Sequence, residues 1–220
     1  MRPLAAADLT DLFRLMAARI DAERLALGAL DGAIGDADHG NSMAEGFSAL
    51  AHACAEAESR GVATGDLFAI AAHAFLGAVG ATTGPLYASA FLQAGQRFAG
   101  QVTIDPVDLT EILGDFSEAI AQRGKASPGD KTMLDVWTPA ARAVAEARSK
   151  GSGAIARLDA AVAAAIEGRE ATRAMVAAAG RAARLGPRTL GHVDPGAASA
   201  AIIIVALRDG MTAFFARGSK

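Results

Sequence analysis

The chain has 220 residues, a net charge of −3, 52% hydrophobic residues and only 5% aromatic ones. About a quarter of it is alanine, the best helix former, while strand-forming residues are sparse. This composition describes one mostly helical domain over residues 1–220 with thin, closely spaced helices. An isoelectric point near 5.8 excludes the basic surface that nucleic acids or anionic membranes require. The single cysteine, Cys54, excludes an intrachain disulfide, and no Cys/His zinc spacing occurs.

Apolar residues recur at three- and four-residue intervals through most of the chain. Leu9, Leu12, Phe13, Met16 and Ile20 mark one face of a first helix continuing to about residue 30. Further helices are expected over about 41–59, 65–79, 85–98, 106–122, 130–149, 153–183 and 194–215. Asp105-Pro106 and Asp194-Pro195 look like capping residues followed by a first-turn proline. The seventh helix has a candidate break near Glu167-Gly168. Residues 202–205 would suit a strand by composition, but they sit inside a longer buried-helix pattern. Eight helices on short connections predict an up-and-down antiparallel bundle.

Two segments call for a membrane check, because mean hydropathy is +0.27. Residues 67–96 are free of charge, but Thr82-Thr83-Gly84-Pro85 would break a spanning helix at its centre. The acidic residues near the N-terminus do not suit a secretory signal. The expectation is a cytoplasmic chain with no membrane partner.

Four connections interrupt the alanine background with polar and glycine-rich sequence. The first places Asp31, Asp36 and Asp38 within eight residues, followed by His39, Gly40, Asn41 and Ser42. On a continuous helix Asp31 and Asp36 would point about 140° apart, but Gly35 and Gly40 let the chain fold back. Converging carboxylates raise one another's pKa and call for a cation. An all-oxygen set favours Mg2+, Mn2+ or Ca2+. The competing reading makes Asp31 a helix-end residue and Asp36 and Asp38 turn or capping residues.

The other three connections are Gly80-Ala81-Thr82-Thr83-Gly84-Pro85, the stretch from Gly124 through Lys131 to Met133, and Gly191-His192-Val193-Asp194-Pro195-Gly196. Each would offer free N–H groups at a helix start, where phosphates bind. Ordinary helix–turn–helix connections use the same residue types. In an up-and-down bundle these four connections fall at one end, and the plainer ones at the other. Together they suggest a Mg2+–phosphate site. No P-loop and no G-x-G-x-x-G occurs.

Asp31-x4-Asp36-x-Asp38-His39-Gly40, Gly84-Pro85-Leu86-Tyr87, Gly129-Asp130-Lys131-Thr132-Met133-Leu134-Asp135 and Gly191-His192-Val193-Asp194-Pro195-Gly196-Ala197 resemble the nucleotide-binding L subunit of dihydroxyacetone kinase, over essentially the whole chain. The resemblance implies an all-α, eight-helix antiparallel barrel with ADP or ATP at one end. It implies two Mg2+ ions on Asp31, Asp36 and Asp38. It also implies nucleotide contacts from His39, Asn41, Ser42, Thr82, Thr83, Gly124, Met133, Arg181, Asp194, Pro195 and Gly196. Relatives commonly carry serine where Thr83 stands, and threonine keeps the hydroxyl.

The implied reaction is phosphoryl transfer to a short-chain ketose held by a separate K-type subunit. The donor is either exchangeable ATP or bound ADP recharged by a phosphohistidine phosphotransferase-system protein. Dihydroxyacetone and four-carbon ketoses both fit as acceptors, and nothing in the sequence excludes a homodimer. No residue is needed as a nucleophile. Two rival readings use the same residues: a non-catalytic nucleotide-sensing adaptor, and a Mg2+-dependent phosphohydrolase.

Overall fold

A computed structural model describes residues 2–218. Its α-helices are α1 (Ala6–Ala22), α2 (Arg24–Ile34), α3 (His39–Ser59), α4 (Leu67–Ala78), α5 (Thr83–Phe98), α6 (Pro106–Leu109), α7 (Ile112–Gly124), α8 (Leu134–Ser149), α9 (Ala154–Ala171) and α10 (Pro195–Gly218). Among the described residues the one extended pairing is an antiparallel bridge between Leu4 and Ile104.

Eight of the helices close a ring. α1, α3, α4, α5, α7, α8, α9 and α10 each lie against the next, and α10 returns to α1. The expected barrel is therefore present, with two staves subdivided. The first expected helix breaks at Glu23, so α2 leaves the ring and lies on α3. The fifth begins with the single turn α6, where the Asp105 carboxylate accepts from the Val107 N–H and Pro106 fills the first turn.

The aromatic residues are few, and nearly all are inside. Phe13, Phe47, Phe68, Phe75, Tyr87, Phe91, Phe98, Phe116 and Trp137 form a connected cluster. Phe91 and Phe116 stand 5.0 Å apart, and Phe116 and Trp137 5.1 Å apart. Each fully buried ring contributes about 1.5–3 kcal/mol. Tyr87 and Trp137 thus belong to the core.

Small residues let the helices approach this cluster. A Cβ on Gly168 of α9 would lie 2.0 Å from the carbonyl oxygen of Asp135 in α8. Pro139 has no N–H to give that carbonyl, so the glycine backbone closes against an acceptor with no helical partner. The helix runs unbroken through Gly168.

Three expectations are corrected. The sixth helix starts at Leu134, because Gly129 (φ 99°) and Lys131 (φ 59°) are left-handed and cannot continue a helix. The seventh ends at Ala171 rather than near 183. Beyond it lie short 3-10 turns at Thr172–Ala174 and Ala182–Thr189 joined by irregular chain. The fourth starts at Thr83, two residues before the proline.

Among the described residues one helix, Pro195–Gly218, is long and apolar enough to cross a membrane, and 61% of its apolar window is buried inside the fold. It contains residues 202–205, so the buried-helix reading of that run holds. The connections far from the site meet one another: Gly65 N–H donates to Gln101 O at 2.9 Å, and Gly100 N–H to the Asp66 carboxylate at 2.8 Å.

Candidate functional site

The four polar connections converge on one cleft with a cavity volume of about 200 Å³. The N-termini of α3, α5, α8 and α10 all reach its wall through His39, Thr83, Leu134 and Pro195. Each helix start carries a partial positive charge, which suits an anion. Its lining combines the Asp31, Asp36 and Asp38 carboxylates with apolar Ile34, Leu86, Ile120, Ala126, Met133 and Leu134.

The acidic part of the lining is built by the turn between α2 and α3. Asp31, in the last turn of α2, reaches across it. Its carboxylate accepts from the Asp38 N–H at 2.9 Å and the His39 N–H at 3.2 Å. Asp31 therefore caps α3, although it belongs to α2. Asp38 occupies the N-cap position and makes no side-chain cap bond, so its carboxylate is available to partners outside α3. Ala37 between them is left-handed, at φ 63°.

One oxygen from each of Asp31, Asp36 and Asp38 lies within 4.8 Å of the others. Asp31 is buried, Asp38 half-buried and Asp36 exposed. Burial and the neighbouring Asp31 carboxylate raise the Asp38 pKa. An all-oxygen cluster with one buried and two accessible ligands matches a hard divalent cation.

Arg181, from the connection between α9 and α10, reaches two of these carboxylates. Its Nη1 donates to Asp36, and to Asp38 at 3.2 Å. A guanidinium thus balances part of the cluster's charge. His39 is buried, and burial pushes its imidazole down to about 4, so the ring is neutral. Its Nε2 lies 2.9 Å from Ser199 Oγ, which donates to Gly196 O at 3.0 Å. This contact joins the acidic turn to the start of α10.

The α10 start is held by Asp194, whose carboxylate accepts from the Ala197 N–H at 2.7 Å. Burial pushes the Asp194 carboxyl up to about 7. The loop before α8 is organised by buried Asp135, which accepts from the Gly129 N–H and from the Thr132 N–H at 2.8 Å.

Of the residues expected at the site, Asp31, Asp36, Asp38, His39, Thr82, Thr83, Gly124, Met133, Arg181, Asp194, Pro195 and Gly196 line this cleft. Asn41 and Ser42 are not in its wall. Asn41 accepts from Arg24 Nε at 2.8 Å on the exposed side of α3, and Ser42 lies one turn into that helix, its N–H on Asp38 O. Three contributors were not foreseen. Lys131 is 1% exposed and lines the cleft; Asp135 shapes the loop around it; Leu86 and its neighbours make the apolar lining. The loop motif contained Lys131 and Asp135, but spacing carries no sign of which polar residue turns inward.

His52 and His73 are exposed on helices away from the cleft. Burial pushes the Cys54 thiol up to about 12, which disfavours the thiolate.

The model of the DAK2 domain family matches residues 33–209. The chain is 38% identical, over 86% of its length and 88% of the relative's, to the ADP-binding subunit of PEP-dependent dihydroxyacetone kinase 1 of Listeria innocua. It is 35% identical, over 77% and 80%, to the ADP-binding subunit of the Escherichia coli PEP-dependent dihydroxyacetone kinase. Its fold superposes on the crystal structure of the C. freundii dihydroxyacetone kinase in complex with AMP-PNP and Mg2+. That match has a TM-score of 0.68 and 27% identity, covering 95% of this chain and 35% of the larger one.

Proposed function

The chain belongs to the DAK2 domain family of dihydroxyacetone kinases, and from that premise we propose that it is the Mg2+-nucleotide subunit that phosphorylates a short-chain ketose held by a separate K-type subunit. The observation that carries this reading is the meeting of three carboxylates, within 4.8 Å of one another, with four helix N-termini in one cleft. That arrangement suits a hard cation beside a polyphosphate, a reaction that needs no nucleophile from the protein.

Asp31, Asp36 and Asp38 would hold Mg2+, and their three charges are enough to support two ions alongside the phosphates. Bound Mg2+ supplies neutralisation of phosphate charge and alignment of the transferred group. The chain's own residues supply the rest. Asp31 fixes the turn by capping α3. The positive ends of α3, α5 and α10, with the Thr82 and Thr83 hydroxyls, would attract phosphate oxygens. Leu86, Ile120 and Met133 cover the base, with Gly124 leaving room beside it. Arg181 faces the same oxygens and adds a positive charge against the phosphates. Neutral His39 positions the turn through Ser199 and carries no phosphoryl group. Asn41 and Ser42 would support the turn from outside the wall.

The acidic overall charge and the burial of the apolar helix Pro195–Gly218 in the barrel support a cytoplasmic, single-domain protein over residues 1–220. The donor is read as ATP, or bound ADP recharged by a phosphohistidine protein.

The test is reconstitution. The chain is mixed with a K-type subunit and dihydroxyacetone, with ATP or a phosphohistidine phosphotransferase protein as donor. Ketose phosphate should form with one donor and depend on both subunits. Phosphate release without any acceptor would favour a phosphohydrolase. No transfer with a competent partner and either donor would favour a nucleotide-sensing adaptor.

A further inference from the structure

Between α9 and α10 the chain makes a long excursion over the cleft, leaving at Thr172 and returning at His192. It carries Arg181, which reaches the Asp36 and Asp38 carboxylates. Both ends of the excursion meet on one side chain. Lys131 Nζ donates to Thr172 O at 2.6 Å and to His192 O at 2.6 Å.

Lys131 sits there at a double cost. It is 1% exposed, and taking an ammonium out of water is unfavourable unless its donors are satisfied. Its φ of 59° lies in the left-handed region that side chains disfavour. An ordinary loop residue has no reason to carry both. The two carbonyls satisfy two of its three donors; Asp194 and Asp135 attract the ammonium, and the like charge of Arg173, inside the excursion, opposes it.

The neighbouring contacts follow the same plan. Asp194 N–H donates to Thr172 Oγ1 at 3.0 Å, a second tie between the two ends. Ala178 N–H, inside the excursion, donates to Asp130 O at 3.0 Å, one residue before the lysine. Gly191 N–H donates to Arg173 O at 2.8 Å.

We propose that Lys131 is the positioning residue of the Arg181 arm: a buried cation that pins both ends of the 173–191 excursion and so sets where Arg181 stands over the acidic cluster. Its ammonium acts on the nucleotide through Arg181, not by touching it. The inference rests on the proposed Mg2+-nucleotide site, and its test separates the two.

The experiment is a double-mutant cycle on Mg-ADP affinity by calorimetry, with Lys131→Met, Arg181→Met and both together. Lys131→Met keeps the apolar stem and removes the ammonium. Each single change should weaken Mg-ADP by about tenfold, the loss of one charge-assisted contact. The double variant should be no weaker than the weaker single, because both act through one arm. Hydrogen exchange should accelerate across residues 175–191 in Lys131→Met and stay unchanged in α1 and α5. Multiplying affinity losses, or unaltered exchange in 175–191, would overturn the proposal. If Lys131→Met does not fold, Thr172→Val, which removes the second tie, should give the same non-additive pattern with Arg181→Met in weaker form; additivity there overturns it equally. A wild-type chain that binds no Mg-ADP would defeat the proposed site, and the exchange result alone would then judge Lys131.

Discussion

Arg181 and a divalent cation are expected to compete for the same carboxylates, which makes Arg181→Met informative. The guanidinium contacts Asp36 and Asp38, and the three side chains are about half exposed, at 50%, 52% and 46%. Solvent screens such pairs. Two unit charges about 4 Å apart in a water-like surround interact by about 1 kcal/mol, and measured exposed pairs fall at about 0.2–1 kcal/mol. Two aspartates therefore give about 0.5–2 kcal/mol, equivalent to about two- to thirtyfold in affinity. Without nucleotide, Arg181→Met should bind a divalent ion more tightly by that factor. Mn2+ titrated at low salt and followed by electron paramagnetic resonance reads this directly. The gain should shrink as salt rises. Mg-ADP affinity should move the other way, because the arginine's charge is then lost from the phosphates. Unchanged or weaker Mn2+ binding in the variant would refute the shared-carboxylate reasoning.

Other outcomes follow from the same geometry. The buried His39 imidazole titrates at about 4, below the ordinary 6.5. Its contribution to stability is therefore intact above about 6.5 and lost as pH falls toward 4, by about 3 kcal/mol; urea unfolding of the wild type against His39→Gln across that window isolates it, and a pH-independent difference contradicts it. Gly168→Ala would place a Cβ 2.0 Å from the Asp135 carbonyl oxygen, so it should cost about 1–3 kcal/mol and lower Tm by about 2–12 °C in a calorimetric scan. An unchanged Tm would mean that α8 and α9 separate freely. Cys54, buried with its thiol pushed up to about 12, should resist a thiol reagent at pH 8 until the chain is unfolded; rapid labelling of native protein would contradict its place in the core.

The barrel was legible because its signal is local and repeated. Apolar residues at helical spacing on an alanine background mark each stave, and capping pairs such as Asp105-Pro106 mark starts. The acidic cluster was legible for the same reason: Asp31, Asp36 and Asp38 lie within one turn and its flanks. What was hidden depends on contacts far along the chain. Residues 175–183 are rich in alanine and read as helix, yet α9 ends at Ala171. Lys131 draws on the Thr172 carbonyl, and the Thr172 hydroxyl donates back to Arg169 O. Tertiary hydrogen bonds overrule propensity there. The capping of α3 by Asp31 was also hidden, since that carboxylate belongs to the preceding helix. Arg181 reaching Asp36 is a contact across 145 residues, and no spacing rule encodes it.

The central claim is that Asp31, Asp36 and Asp38 hold Mg2+ for a nucleotide bound in this cleft. Calorimetric titration of ADP into the chain, with Mg2+ and with a chelator, and into Asp36→Ala with Mg2+, tests it most directly. The wild type should bind with Mg2+ and binding should be lost in the other two cases, with the helical circular dichroism of Asp36→Ala unchanged. Equal ADP affinity in all three would contradict it.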